Sequence, residues 1–277
     1  MKYTPKAPPP GINHNVGTKS LFGDFVKLIV GAVFSCLVLY TSVVLVMRLS
    51  LSLFEGPTLS VLAPMMQAPF LAAHANLSSK QERLQHRLER ILHKLQRSLP
   101  KDTQKYTVVL VPDEETNAYA IPGGLIVFLS PLAEKAKSEE ELAFVMAHEL
   151  GHFAHRDHLT GLSNVAAMAL LAPLGMVSED FSRIMALTSQ LSFLHHSRVQ
   201  ETQADVFGLT LLHEAYGSVA KGGDFLQRME MERKGGLKLS FLSSHPVTRQ
   251  RIAELQDLAL KKEYSGAREF LTVRNED

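Results

Sequence analysis

The chain has 277 residues, 45% of them hydrophobic, and a formal net charge of +1. That is enough for one medium-sized domain plus a membrane segment, and it offers no electrostatic case for nucleic acid as a partner. A single cysteine, Cys36, excludes an intrachain disulfide and a cysteine-based metal site.

Residues 1–27 are polar, carry Pro5, Pro8, Pro9 and Pro10, and read as a flexible tail. Residues 28–47 then run without a charge between Lys27 and Arg48. Such a run makes about 30 Å of helix, the thickness of the hydrocarbon core, and predicts one transmembrane helix. It is longer than the apolar part of a signal peptide and starts late, so an uncleaved anchor is expected. Lys2, Lys6, Lys19 and Lys27 precede it, whereas Arg48 is the one basic residue between it and Lys80. This bias favours a cytoplasmic N-terminus, with the bulk of the chain across the membrane, which in a bacterium is the periplasm.

In the segment 48–77, residues 49–75 stay apolar, but Glu55-Gly56-Pro57, Pro64 and Pro69 interrupt them. A juxtamembrane segment at the interface fits this better than a second span. Ser79 with Glu82 then opens a helix whose apolar stripe is Leu84, Leu88, Ile91, Leu95 and Leu99. Arg83, Arg87, Arg90 and Arg97 lie mostly off that stripe and read as a solvated basic face.

Residues 106–111 are β-rich, and Pro112-Asp113-Glu114-Glu115 ends them. Asn117-Ala118-Tyr119-Ala120-Ile121-Pro122-Gly123-Gly124, followed by β-rich residues 125–129, predicts a hairpin with an edge strand. An open edge can take a peptide as an added strand. An ordinary hairpin packed on the core is equally consistent.

Ser138 and Glu141 form a predicted capping box for a helix with Leu142, Val145 and Met146 on one face. On that helix His148 and His152 are one turn apart, so both imidazoles can reach one ion. Glu149 between them completes H-E-x-x-H, in which the acid serves as base for an attacking water. Two solvated helix histidines are the alternative, and a third ligand decides between them. His155 and His158 are expected at the surface or behind the ligands. Residues 162–177 are apolar but short for a span, and suit a buried or re-entrant helix. Beyond Glu179, Ile184, Leu187, Leu191 and Leu194 recur at helical spacing. Glu201 and Asp205 follow, again four apart: Glu201 can be the third metal ligand, and Asp205 can accept a ring N–H from a ligating histidine.

Together these motifs resemble the forty-eighth metallopeptidase family, the gluzincins that include CAAX prenyl, HtpX-like and Oma-like proteases. The resemblance covers roughly residues 78–260. It rests on Asn117-Ala118-Tyr119-Ala120 with Pro122-Gly123-Gly124, His148-Glu149-Leu150-Gly151-His152, Glu201-Thr202-Gln203-Ala204-Asp205, and Ser244-His245-Pro246 with Arg251-Ile252. It implies one Zn²⁺ per chain on His148, His152 and Glu201, with Glu149 as base. His245 and Arg251 match positions that hold substrate or the tetrahedral intermediate. From residues alone, His245-Pro246 is a turn before a final amphipathic helix.

The expected fold is α+β: a mainly helical gluzincin (zincin-like) domain at 78–265 with a small β-sheet, preceded by one transmembrane helix and followed by a tail at 266–277. The expected function is a membrane-anchored zinc endopeptidase in protein quality control. Its partners would be the lipid bilayer and unfolded or membrane-associated polypeptides, lying along Asn117, Ala118, Tyr119 and Ala120. A zinc-containing chaperone-like or adaptor module without turnover is the other reading, and the complete residue set argues against it.

Overall fold

The computed structural model describes residues 21–53, 55–101, 103–159, 163, 196–234, 241, 244–245 and 249–269. The predicted elements at 162–177 and 184–194 lie outside these residues, apart from Ser163, as do residues 1–20, Pro246 and 270–277. The chain divides into two units, residues 1–45 and 46–277.

Helix α1, Leu21–Leu53, begins in the first unit. Its stretch Phe22–Ser50 has a mean hydropathy of 2.5 and is long and apolar enough to cross a bilayer. Phe22, Leu28, Phe34 and Leu45 project outward, as expected where lipid rather than protein is the solvent. Thr41 hides its hydroxyl by donating to the Leu37 carbonyl at 2.9 Å. The helix starts before residue 28, and an Asp24–Lys27 pair at 3.2 Å lies in its first turns.

Glu55–His74 form a continuous helix, α2, with Pro64 and Pro69 inside it, where an interrupted interfacial segment was expected. Each proline removes a backbone donor, but packing offsets the loss. Met66, Phe70 and Ala73 close one face of the sheet. Helix α3, Ser79–Gln96, starts one residue earlier than its motif suggested. Ser78 is the cap and Gln81 the reciprocal partner, because a glutamine amide can accept from both the Ser78 N–H and hydroxyl. The helix buries Gln85, Leu88, Ile91, Leu92 and Leu95.

Strands β1 (Thr107–Val111), β2 (Ala118–Ile121) and β3 (Leu125–Leu129) form a sheet of order β1-β3-β2. β1 is parallel to β3, and β2 antiparallel to it. Both faces are covered. Val108, Leu110, Ala118, Ala120, Ile126 and Phe128 join the main core, while the alternate residues, Val109, Tyr119, Ile121 and Val127 among them, pack toward α2. The Pro122-Gly123-Gly124 turn needs positive φ at both glycines, 88° and 84°. A Cβ on Gly123 would stand 2.5 Å from the Cβ of Ala63 in α2.

The two sheet edges differ. On β1 the buried Gln85 amide donates to the Val108 carbonyl at 2.8 Å and accepts from the Leu110 N–H at 2.7 Å. His74 Nδ1 lies 2.9 Å from the Leu110 carbonyl. On β2, the Leu129 N–H donates to Asn117 O at 3.0 Å. By the antiparallel alternation, the main-chain groups of Ala118 and Ala120 then face the outer edge, where no described strand runs.

Helix α4, Ser130–Lys135, leads to α5, Glu139–Ala154, and α6, Arg198–Tyr216, α7, Asp224–Lys234, and α8, Arg249–Lys261, follow. Where one apolar face was expected, α5 is buried on every side from Glu141 to Phe153, packed among the sheet, α3 and α6. Its capping box is half formed. Ser138 accepts from the Glu141 N–H, but the Glu141 carboxylate turns to the Lys137 N–H and to both terminal nitrogens of Arg228 at 2.6 Å. A buried acid at a helix N-terminus is stabilised by that guanidinium and by the helix dipole.

Candidate metal centre

Two glycines let α5 and α6 touch backbone to backbone. A Cβ on Gly151 would lie 2.8 Å from Ala204 Cα, and one on Gly208 would lie 3.0 Å from His148 N. This contact brings Glu201 of α6 onto the histidine pair of α5. His148 and His152 Nε2 are 3.2 Å apart. Glu201 Oε2 is 3.6 Å from His148 Nε2, and its Oε1 is 3.5 Å from His152 Nε2. Ligand atoms of His148, His152, Glu201 and His245 all lie within 4.8 Å of one another, and all four residues are buried.

The ring nitrogens facing away are committed. His148 Nδ1 bonds Asp205 at 2.9 Å, and His152 Nδ1 bonds Asp157 at 2.8 Å. With both Nδ1 atoms donating, neutral rings would turn two Nε2 lone pairs on each other at a distance where they repel, unless a proton or a metal ion stands between them and Glu201. A cation between them removes the repulsion, so the donor set fits a metal ion. The field says the same. Burial alone would lower the His152 pKa, but its hydrogen bonds to Asp157 and Glu201 and the charge of Glu149 outweigh burial and raise it to about 10. Burial lowers that of His148, offset in part by Asp205. Glu201 is held well below the usual carboxylate range: burial opposes this, while the His245 charge and hydrogen bonds from His152 and His245 bring it about.

Arg251 of α8 secures the acids from behind. Its Nε and Nη2 donate to Asp205 at 2.7 and 2.9 Å, and its Nη1 lies 2.8 Å from Glu201 Oε2. The guanidinium therefore faces the carboxylates of the metal site; burial opposes the charge of Asp205, and the hydrogen bond and charge of His148, followed by those of Arg251, keep it ionised. His245 stands inside the cluster, its Nδ1 3.1 Å from Glu201 Oε1 and its Nε2 3.5 Å from Glu149 Oε1. Neither oxygen of the fully buried Glu149 has a hydrogen-bond partner among the described residues. A carboxylate kept free beside a cation site can accept a proton.

β2 runs close by. Burial and then nearby acids, Glu149 among them, push the Tyr119 hydroxyl up to about 12. The Asn117 side chain is buried and bonds Tyr119, Ala118 and Ser244 within the protein. Ala118 and Ala120 put only methyl groups on the α5 side of β2.

Some residues beside the histidine pair were not anticipated. Asp157 follows the end of α5, where Arg156 at φ 58° turns the chain back so that the acid reaches His152, and Gln200 donates to it at 2.8 Å. His196 stacks on the His152 ring, centroids 3.7 Å apart, and burial together with neighbouring imidazoles lowers its pKa. Nothing local in the sequence marks it. His155 is exposed and caps α5 through the Gly151 carbonyl, while His158 is buried against Phe153.

Two histidines one helical turn apart, completed by a carboxylate from a second helix, define a metal centre of the gluzincin kind. The sequence pattern of Peptidase family M48 matches residues 78–259, and the chain belongs to that family. It is similar to "Mitochondrial metalloendopeptidase OMA1" of Schizosaccharomyces pombe, 29% identical over 156 residues, 55% of this chain and 46% of that protein. The protein of that name in Saccharomyces cerevisiae is 30% identical over 157 residues, 53% of this chain and 45% of its own. "Putative beta-barrel assembly-enhancing protease" of Vibrio cholerae is 28% identical over 171 residues, 56% and 34%. The matched stretch thus spans less than half of each relative.

Proposed function

We propose that this protein is a membrane-anchored zinc endopeptidase acting on unfolded or membrane-associated polypeptides. The observation that carries the reading is the facing Nε2 pair of His148 and His152, with Glu201 closing the cluster and the Glu149 carboxylate left unbonded beside it. His148, His152 and Glu201 would hold the ion, and two imidazoles with a carboxylate suit Zn²⁺. When bound, zinc supplies an acidified water and polarisation of the scissile carbonyl.

The chain's own residues supply the rest. Glu149 takes the proton from the attacking water and passes it to the leaving amine. His245, 3.5 Å from Glu149, donates to the developing oxyanion. Arg251 acts through Asp205 and Glu201, orienting the ligands rather than touching substrate. The substrate lies extended along Ala118 and Ala120, whose outward main-chain groups give affinity without side-chain preference.

Helix α1 would be the single span. The lysine excess before it supports a bacterial inner-membrane protein with its catalytic domain in the periplasm. Relatives named as a mitochondrial metalloendopeptidase and a β-barrel assembly-enhancing protease support a place in membrane or envelope protein quality control.

The test is cleavage of an unfolded model protein by the detergent-purified chain and by Glu149→Gln, with zinc measured on both. Cleavage should fall by roughly 10²-fold or more at equal zinc. Bound zinc without turnover in either protein would instead favour a peptide-binding module.

A further inference from the structure

The amide of Asn117 has no capacity to spare. Its Nδ2 donates to the Tyr119 hydroxyl at 2.9 Å and to Ser244 Oγ at 3.1 Å. Its Oδ1 is 2.9 Å from the Ala118 N–H and 3.2 Å from Ser244 Oγ. An asparagine side chain offers two donor hydrogens and two acceptor lone pairs: both hydrogens and one lone pair are engaged, and the second lone pair faces the Ser244 hydroxyl, whose one hydrogen is shared with the Phe241 carbonyl at 3.2 Å. A substrate can bond Asn117 only by displacing one of these groups, in a site where Asn117 is 2% exposed.

The partner of this amide is the turn that carries His245. The Phe241 N–H donates to the Thr116 carbonyl at 3.0 Å, and the His245 N–H donates to the Phe241 carbonyl at 2.8 Å. The Phe241 ring stacks on the His245 ring, centroids 4.8 Å apart. Phe241, Ser244 and His245 are thus attached to the residues immediately before β2 by a backbone bond at Thr116 and a side-chain bridge at Asn117.

The same amide also meets the docking edge. The Asn117 carbonyl points to β3, so the N–H of that peptide unit, on Ala118, points to the open side, where Asn117 Oδ1 occupies it. An added strand then finds the first group without a partner among the described residues at the Ala118 carbonyl.

We propose that Asn117 is a positioning residue that locks the His245 turn to the upstream end of β2 and ends the substrate edge at Ala118. The edge that registers the peptide and the imidazole beside Glu149 then move as one body. This deepens the peptidase reading and rests on it for its kinetic arm only.

Hydrogen exchange on the full-length, detergent-purified protein tests the lock without any turnover. Asn117→Ala and Ser244→Ala, which cut the bridge from opposite ends, should each speed exchange of the Phe241 and His245 amides by about tenfold or more. The amides of α5 should keep their protection, which checks that the variants are folded. Should Asn117→Ala fail to fold, Ser244→Ala carries the test. Unchanged exchange at Phe241 and His245 would overturn the proposal.

In the kinetic arm, each variant should lower kcat roughly 10- to 100-fold and leave KM within about twofold. The double variant should be no worse than Asn117→Ala, and Asn117→Asp, which keeps both acceptors, should recover part of the loss. A raised KM with multiplying effects would mean that Asn117 touches substrate, and the proposal falls. If the wild type cleaves nothing, the peptidase reading falls, and the exchange arm still decides the lock.

Discussion

Gly151 and Ala204 are in backbone contact: a methyl group on Gly151 would lie 2.8 Å from Ala204 Cα and 2.9 Å from its carbonyl oxygen. Neither atom can rotate away, so Gly151→Ala has to separate α5 from α6. The histidines ride on one helix and Glu201 on the other, so the separation opens the metal site. We expect about 1–3 kcal/mol of overpacking cost and a roughly tenfold or greater loss of zinc affinity. Zinc titration against a chelator, with thermal unfolding alongside, measures both. Undiminished affinity would show that the close approach does not set the site.

Asp205 is buried and bonded to His148 Nδ1 and Arg251. Asp205→Asn keeps its shape but loses the charge that fixes the imidazole tautomer. Zinc affinity should fall by about 10- to 100-fold. If zinc were retained at full affinity and only kcat dropped, Asp205 would belong to the chemistry instead.

Gln85→Leu removes the amide that serves the β1 edge and leaves the Val108 carbonyl and the Leu110 N–H buried without that partner. At about 1–3 kcal/mol for each such group, the domain should lose several kcal/mol. Chemical denaturation of the two proteins in the same detergent would show it. An unchanged midpoint would mean that water replaces the amide.

His158 supplies a pH dependence. Burial, helped by the nearby Arg156 charge, lowers its pKa from 6.5 to about 4. The unfolded chain then takes up a proton near pH 6.5 that the folded chain refuses until about pH 4. Its contribution is fully present above pH 6.5 and is lost as pH falls toward 4, a difference on the order of 3 kcal/mol. His158→Gln cannot titrate there, so its melting temperature should fall less than that of the wild type between pH 7 and pH 5. Parallel curves would assign the pH dependence to other groups.

The convergence of His148 with His152, and of Glu201 with Asp205, was legible because its geometry is local: a spacing of four on one helix puts two side chains on one face, whatever the rest of the chain does. The same holds for the long apolar helix α1. What stayed hidden depends on partners far away in sequence. Gln85 looks like an ordinary polar helix residue until β1 is laid beside it. The apolar face of α5 was readable, but its burial on all sides was not, because Glu141 is neutralised by Arg228, which lies on α7. The prolines of α2 argued for a broken segment, and the sheet packed beneath the helix outweighs them. Asp157 sits beyond the end of α5, and only the left-handed Arg156 returns it to His152.

The unequal edges of the sheet would matter for a chain confined to a bilayer. Copies tethered in two dimensions meet far more often than free ones, and an uncovered strand edge is a template for joining them into fibrils. Gln85 and His74 hold β1 closed against a neighbouring copy's backbone. Among the described residues, β2 presents the uncovered edge on which a foreign strand could be received, and it lies beside the residues proposed to cut it. Openness that would invite aggregation elsewhere is confined to the spot where an arriving chain would be consumed.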